Sequence, residues 1–218
     1  SAKKITTMYL PKHFDVEKVS TAFDVIEQRQ VGNIVVASGA CFEASFLPWK
    51  LLRGAMGTAS LRGHVSKANP LVELVKDSVP GIVIFDLVDG YISPNWYPSK
   101  QIDQKVVPTW NYLTVHVHGT VALIDNSEWL EDLVTDLTIS NESDQKAPWQ
   151  VGDAPREFIE KQLKGIVGVE VLIERIEGKA KLSQNRSESD VQGAVDGLGK
   201  DAGSQSLITQ IENFRELP

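Results

Sequence analysis

Short apolar runs alternate with polar turns along this chain, and the period of each run predicts its element. Val16, Val19, Phe23 and Ile26 recur at helical spacing, so a first helix is expected from Val16 to Gln28, N-capped by Asp15 and ended by Gly32. Asn33 to Ser38 is a β-branched run, hence a strand. Gly39-Ala40 reads as a turn and Phe42 to Trp49 as the returning strand. Ser60 to Val65 reads as a strand with Leu61 and Val65 on one face and Arg62 and His64 on the other. Asn69-Pro70 opens a short helix, about Leu71 to Lys76. Gly81 to Leu87 is a strongly apolar strand. The longest strand is expected from Asn111 to Leu123. Its Leu113, Val115, Val117 and Val121 face the core, and Tyr112, Thr114, His116, His118 and Thr120 form a polar, crowded second face.

Ser127 caps a helix from Glu128 to about Thr138, and Asn141 to Gln150 reads as a polar loop. Ala154-Pro155 opens a further helix to Leu163. Ile166 to Ile176 is a strand, after which Gly178 is expected to turn the chain into Lys179 to Arg186. Two short helices are expected near Asp190–Leu198 and Ser204–Phe214. Residues 1–186 read as one barrel-like domain and 187–218 as a C-terminal helical appendage of the same domain. Strands outnumber helices and turns are short, so the fold class expected is mainly β with peripheral helices, α+β, in the form of a β-barrel. A doubly wound parallel sheet lacks its regular strand–helix alternation here.

Composition adds bounds. The chain has 218 residues with 42% hydrophobic and 23% charged positions, ordinary for a globular protein. No apolar run reaches the length of a membrane span, and no membrane association is expected. Ser1 to Leu10 lacks a signal-peptide core, and Met8 is a candidate start residue. The single cysteine, Cys41, excludes an internal disulfide and fits a reducing cytoplasm. A net charge of −7 argues against a broad nucleic-acid surface, so direct DNA binding is not expected.

One segment is unusual. Tyr91-Ile92-Ser93-Pro94-Asn95-Trp96-Tyr97-Pro98-Ser99-Lys100 precedes Val107-Pro108-Thr109-Trp110-Asn111-Tyr112. Prolines fix φ and remove donors, so the segment is expected to be stiff and non-helical. Rings, hydroxyls and an ammonium on such a backbone suit a planar aromatic ligand carrying a phosphate; a Trp/Tyr-rich core corner or a dimer contact suits them equally.

Met8-Tyr9-Leu10-Pro11-Lys12-His13-Phe14, then Arg62 to Pro70, Tyr91 to Lys100 and Val107 to Tyr112 follow in an order that resembles the PaiB family of FMN-binding negative transcriptional regulators. Pro148-Trp149, Asp153-Ala154-Pro155, Ile166 to Glu170 and Lys181-Leu182-Ser183-Gln184-Asn185-Arg186 complete it, so the resemblance spans Met8 to Arg186. It departs at Gly178-Lys179-Ala180-Lys181, where the family pattern has Trp third, and at Val88-Asp89-Gly90. The resemblance implies a flavin-reductase-like split β-barrel, a homodimer with flavin at the subunit interface, and a repressor role.

FMN needs cations for its phosphate, a flat wall for its ring and donors for the ring edge. Arg62, His64, Ser66 and Lys67 are one candidate phosphate cradle, and Ser93, Ser99 and Lys100 a second. Trp96, Tyr97 and Trp110 are candidate walls, and Thr109 and Asn111 candidate edge donors. His116 faces the same side as His118; without a third ligand the pair reads as cofactor- or dimer-facing, not as a metal site. Arg186 is either a phosphate anchor or the partner of an acidic loop. No catalytic nucleophile or acid–base pair stands out. Two other function classes remain: a flavin reductase or FMN-dependent oxidase acting on a small molecule, and a flavin-free or haem-binding barrel with His116 or His118 as axial ligand.

Overall fold

In the computed structural model, residues 8–215 are described. The residues ahead of Met8, read above as preceding a candidate start, lie outside them. The chain runs α1 (Val19–Arg29), β1 (Val31–Ser38), β2 (Cys41–Pro48), β3 (Lys50–Arg53), β4 (Ala59–Ser66), α2 (Leu71–Leu74), β5 (Val79–Ile92), α3 (Lys100–Asp103), β6 (Thr109–Ile124), α4 (Ser127–Glu142), α5 (Arg156–Lys164), β7 (Ile166–Lys181), α6 (Glu188–Leu198) and α7 (Gln205–Arg215). The strands form one seven-stranded antiparallel sheet in the order β2-β1-β5-β6-β7-β4-β3, so the fold is α+β. Register follows the apolar alternation: Leu61 sits opposite Val171 and Val65 opposite Val167, with all four buried.

Two compact units make up the chain. One comprises residues up to Ala22, Asp86–Val115 and the chain from Glu177 onward. The other comprises Phe23–Phe85 and His116–Ile176. Because β5, β6 and β7 are long, each passes from one unit into the other. In the first unit, α6 and α7 bury Val191, Ala194, Leu198, Leu207, Ile208 and Ile211. In the second, Leu130 of α4 packs with Ile159 and Leu163 of α5, and Trp129 borders that cluster.

Several elements differ from their expected bounds. Helix α1 starts at Val19, not Val16. Asp15 bridges Lys179 in β fashion and the Val16 N–H donates to the Gly178 carbonyl at 3.0 Å, so these residues pair as a strand does. The helix ends at Gln30, which takes a left-handed φ of 58° before Gly32 is reached. Gly178 does not turn the chain; β7 runs through it to Lys181. Helix α4 continues to Glu142, and the Thr138 and Asn141 side chains bond back to carbonyls four residues earlier. Strand β3 after Trp49 has no counterpart in the sequence reading. The stiff segment is not wholly non-helical: Pro94–Trp96 forms a 3-10 turn whose Ser93 hydroxyl accepts from the Asn95 N–H, and Ser99 leads into α3.

Candidate functional site

In the first unit the aromatic segment is clamped by α6. Trp96 lies on the helix at Gly197, where a Cβ would stand 2.2 Å from its ring; a side chain there is incompatible with this contact. Both the backbone N–H and the hydroxyl of Ser99 donate to the buried carboxylate of Asp190, at 3.0 and 2.7 Å. Tyr97 is buried with the Arg186 guanidinium 4.9 Å above its ring. Its hydroxyl makes no hydrogen bond within the chain, although Ser183 and Arg186 lie beside it, and burial pushes its pKa up. Lys100 donates to the Asn95 side chain. Asn111 is buried and donates to the Ser183 hydroxyl at 2.9 Å. Ser99, Lys100, Asn111 and Arg186 are thus engaged within the protein.

Other side chains of this unit face outward. Tyr91 and Trp110 meet edge to face, ring centres 6.1 Å apart, and both are about half exposed. Beside Trp110 on β6, the half-buried Tyr112 ring has two ammonium groups against it, Lys179 at 5.5 Å and Lys181 at 5.9 Å. Lys181 also donates to the Thr109 hydroxyl, and Lys179 to the Tyr9 carbonyl. Thr114, two residues beyond Tyr112 on the same strand face, is buried, and its hydroxyl has no hydrogen-bond partner.

The second unit holds the other candidates. Arg62 donates from Nε to Glu170 at 2.8 Å and lies 5.1 Å over the Trp129 ring. Lys67 pairs with Asp125 at 2.8 Å. The Ser66 hydroxyl accepts from the Ala68 N–H. His64 is half-buried; its Nδ1 makes no hydrogen bond, and burial lowers its pKa. His116 and His118 have ring centres 6.5 Å apart, tilted at 58°. Among the described residues no group of three or more His, Cys, Asp or Glu could hold a metal.

Residues 8–175 match the family described as "Putative FMN-binding domain". The chain belongs to this PaiB-like FMN-binding family. It is 29% identical over 191 residues to the protease synthase and sporulation protein PAI 2 of Bacillus subtilis, covering 88% of this chain and 89% of that one. An uncharacterized protein of Emericella nidulans is 32% identical over 179 residues, covering 69% and 71%. Among solved structures, the FAD and heme binding protein of Mycobacterium smegmatis superposes with a TM-score of 0.56 at 14% identity, covering 82% and 78%, which establishes likeness of fold.

For a member of the FMN-binding family, the fit is judged by what the chain leaves unsatisfied. The Tyr112 face combines a flat wall, two cations on one ring and a buried hydroxyl without a partner. Phosphate, ring and ring-edge polar atoms need those three things, so these residues fit FMN. Lys179 and Lys181 were not singled out from the sequence. A signal was present: with lysines two apart on one strand, both ammoniums project from one face.

Proposed function

We propose that this protein binds FMN against the Tyr112 face and acts, as a homodimer in the cytoplasm, as a PaiB-type regulator. The observation that carries the reading is the pair of ammonium groups on the Tyr112 ring, in a chain of the FMN-binding family. In this reading Lys179 and Lys181 neutralise the phosphate. Trp110 walls the ring beside Tyr112, and Thr114 supplies a hydroxyl to its polar edge. The flavin supplies redox chemistry; the protein binds and orients it. The half-exposed Tyr91 of β5 and Trp110 of β6 support an interface between copies, because aromatic side chains are enriched at such contacts. The name of the Bacillus relative, which ties that protein to protease synthesis and sporulation, supports a regulatory role. A net charge of −7 favours control through a protein or metabolite over operator contacts.

The test is an absorbance spectrum followed by FMN titration, reading quenching of flavin fluorescence. Saturable quenching at one FMN per subunit is expected. Binding should weaken at least tenfold in Lys181→Ala, the scale of a lost charged hydrogen bond. No quenching overturns the flavin reading. FMN-dependent consumption of NADH moves the function to a reductase, and a Soret band moves it to haem.

A further inference from the structure

The second unit contains a cavity of about 660 Å³ beside the C-terminal half of α4. Its apolar lining includes Ile139, Pro148, Trp149, Val151 and Ile159. That volume lies inside the usual range of small-molecule pockets, about 300–1,000 Å³. A second cavity, of about 350 Å³, shares Thr138, Glu142 and Trp149 with it and is also lined by His64 and Asn141. These side chains take no part in the proposed flavin face.

The polar groups left over here include acceptors. The Thr138 hydroxyl donates to the Val134 carbonyl at 2.7 Å, and the Asn141 amide to the Leu137 carbonyl at 2.8 Å. The Trp149 backbone N–H donates to Glu142 Oε2 at 3.1 Å. Glu142 Oε1 and Asn141 Oδ1 retain accepting capacity. His64 Nδ1 is likewise without a partner.

Charge points the same way. Arg156, the cavity's guanidinium, is held by both Glu131 and Glu160, so its positive charge is matched twice. Glu142 has no ion pair among the described residues. It sits at the end of α4, whose last turn contains no basic residue, so the negative end of the helix dipole adds to its carboxylate. The Trp149 ring, 44% exposed, offers a π face to a cation.

We propose that this groove binds a small organic ammonium compound with an aromatic or branched aliphatic body. The body fills the space between Ile139, Trp149 and Ile159, and the ammonium donates to Glu142.

The probe is phenethylamine, titrated calorimetrically into the full chain, with 3-phenylpropionate as its anionic counterpart of similar shape. Saturable one-to-one binding of the amine is expected, weakened about tenfold in Glu142→Gln, which keeps an acceptor for the Trp149 N–H but loses the charge. Trp149→Leu should weaken it as well, and it decides the matter if the glutamine variant melts early. The acid should not compete. Absence of amine binding, equal affinity in both variants, or equal binding of the acid overturns the proposal. FMN titration reads a different set of residues, so failure of the flavin reading leaves this test unaffected.

Discussion

At Gly168 of β7 the backbone lies under the Trp129 ring, and a Cβ would stand 2.3 Å from that ring. Trp129 also carries Arg62 on its face, and Arg62 holds Glu170. One hydrogen atom at position 168 thus permits a ring, a guanidinium and a carboxylate to stack in order. Gly168→Ala is expected to cost about 1–3 kcal/mol, the usual range for overpacking, read as a lower urea midpoint. His64 gives a pH signature. Burial lowers its pKa from 6.5, so the fold favours the neutral ring. The unfolded chain takes up a proton as pH falls through 6.5, while the folded chain resists until lower pH. Stability from this group is complete above pH 6.5 and declines below it. Between about pH 7.5 and about pH 5.5, wild type should lose more stability than His64→Asn, measured by urea unfolding. An identical loss in both would show that His64 does not carry it.

At the scale of elements, alternation was the legible signal. Val115, Val117 and Val121 on β6 and Leu61 and Val65 on β4 are all buried on the face their spacing assigns, because period two leaves a strand no other choice. Positions where distant backbone decides were not legible. The start of α1 depends on Val16 pairing with Gly178, more than 150 residues away in sequence, and no local propensity carries that. The anchoring of Ser99 depends on Asp190, which reads in sequence as an ordinary residue of a helix start. Of the candidate site, the wealth of rings was visible early, but which rings face outward was not. Trp96 and Tyr97 are absorbed by α6 and Arg186, whereas Trp110 and Tyr112 stay accessible. The Asp190 contact gives its own prediction. Asp190→Ala leaves the Ser99 N–H and hydroxyl without their acceptor and should cost about 1–3 kcal/mol, read by thermal melting. Asp190→Asn retains one acceptor oxygen and should cost less.

At the scale of the whole molecule, the last thirty residues decide whether the first unit holds together. Composition alone makes them an appendage: polar, Gly-rich and late in the chain. Yet their helices bury six apolar side chains, Val191, Ala194, Leu198, Leu207, Ile208 and Ile211. Leu207 lies against β5 at Gly90, and Trp96 lies against Gly197. Each buried Val, Leu or Ile side chain is worth about 1.5–3 kcal/mol on transfer from water, so losing five of them with Ala194 is comparable to the whole stability of an ordinary domain, about 5–15 kcal/mol. Truncation after Arg186 is therefore expected to give an aggregating chain or one without a cooperative melt. Truncation after Phe214, which keeps all six side chains, should melt as the full chain does. If the shorter chain were soluble with an unchanged melting temperature, the tail would be a surface addition after all, and the Trp96 and Ser99 contacts would be ornaments of a segment that orders itself.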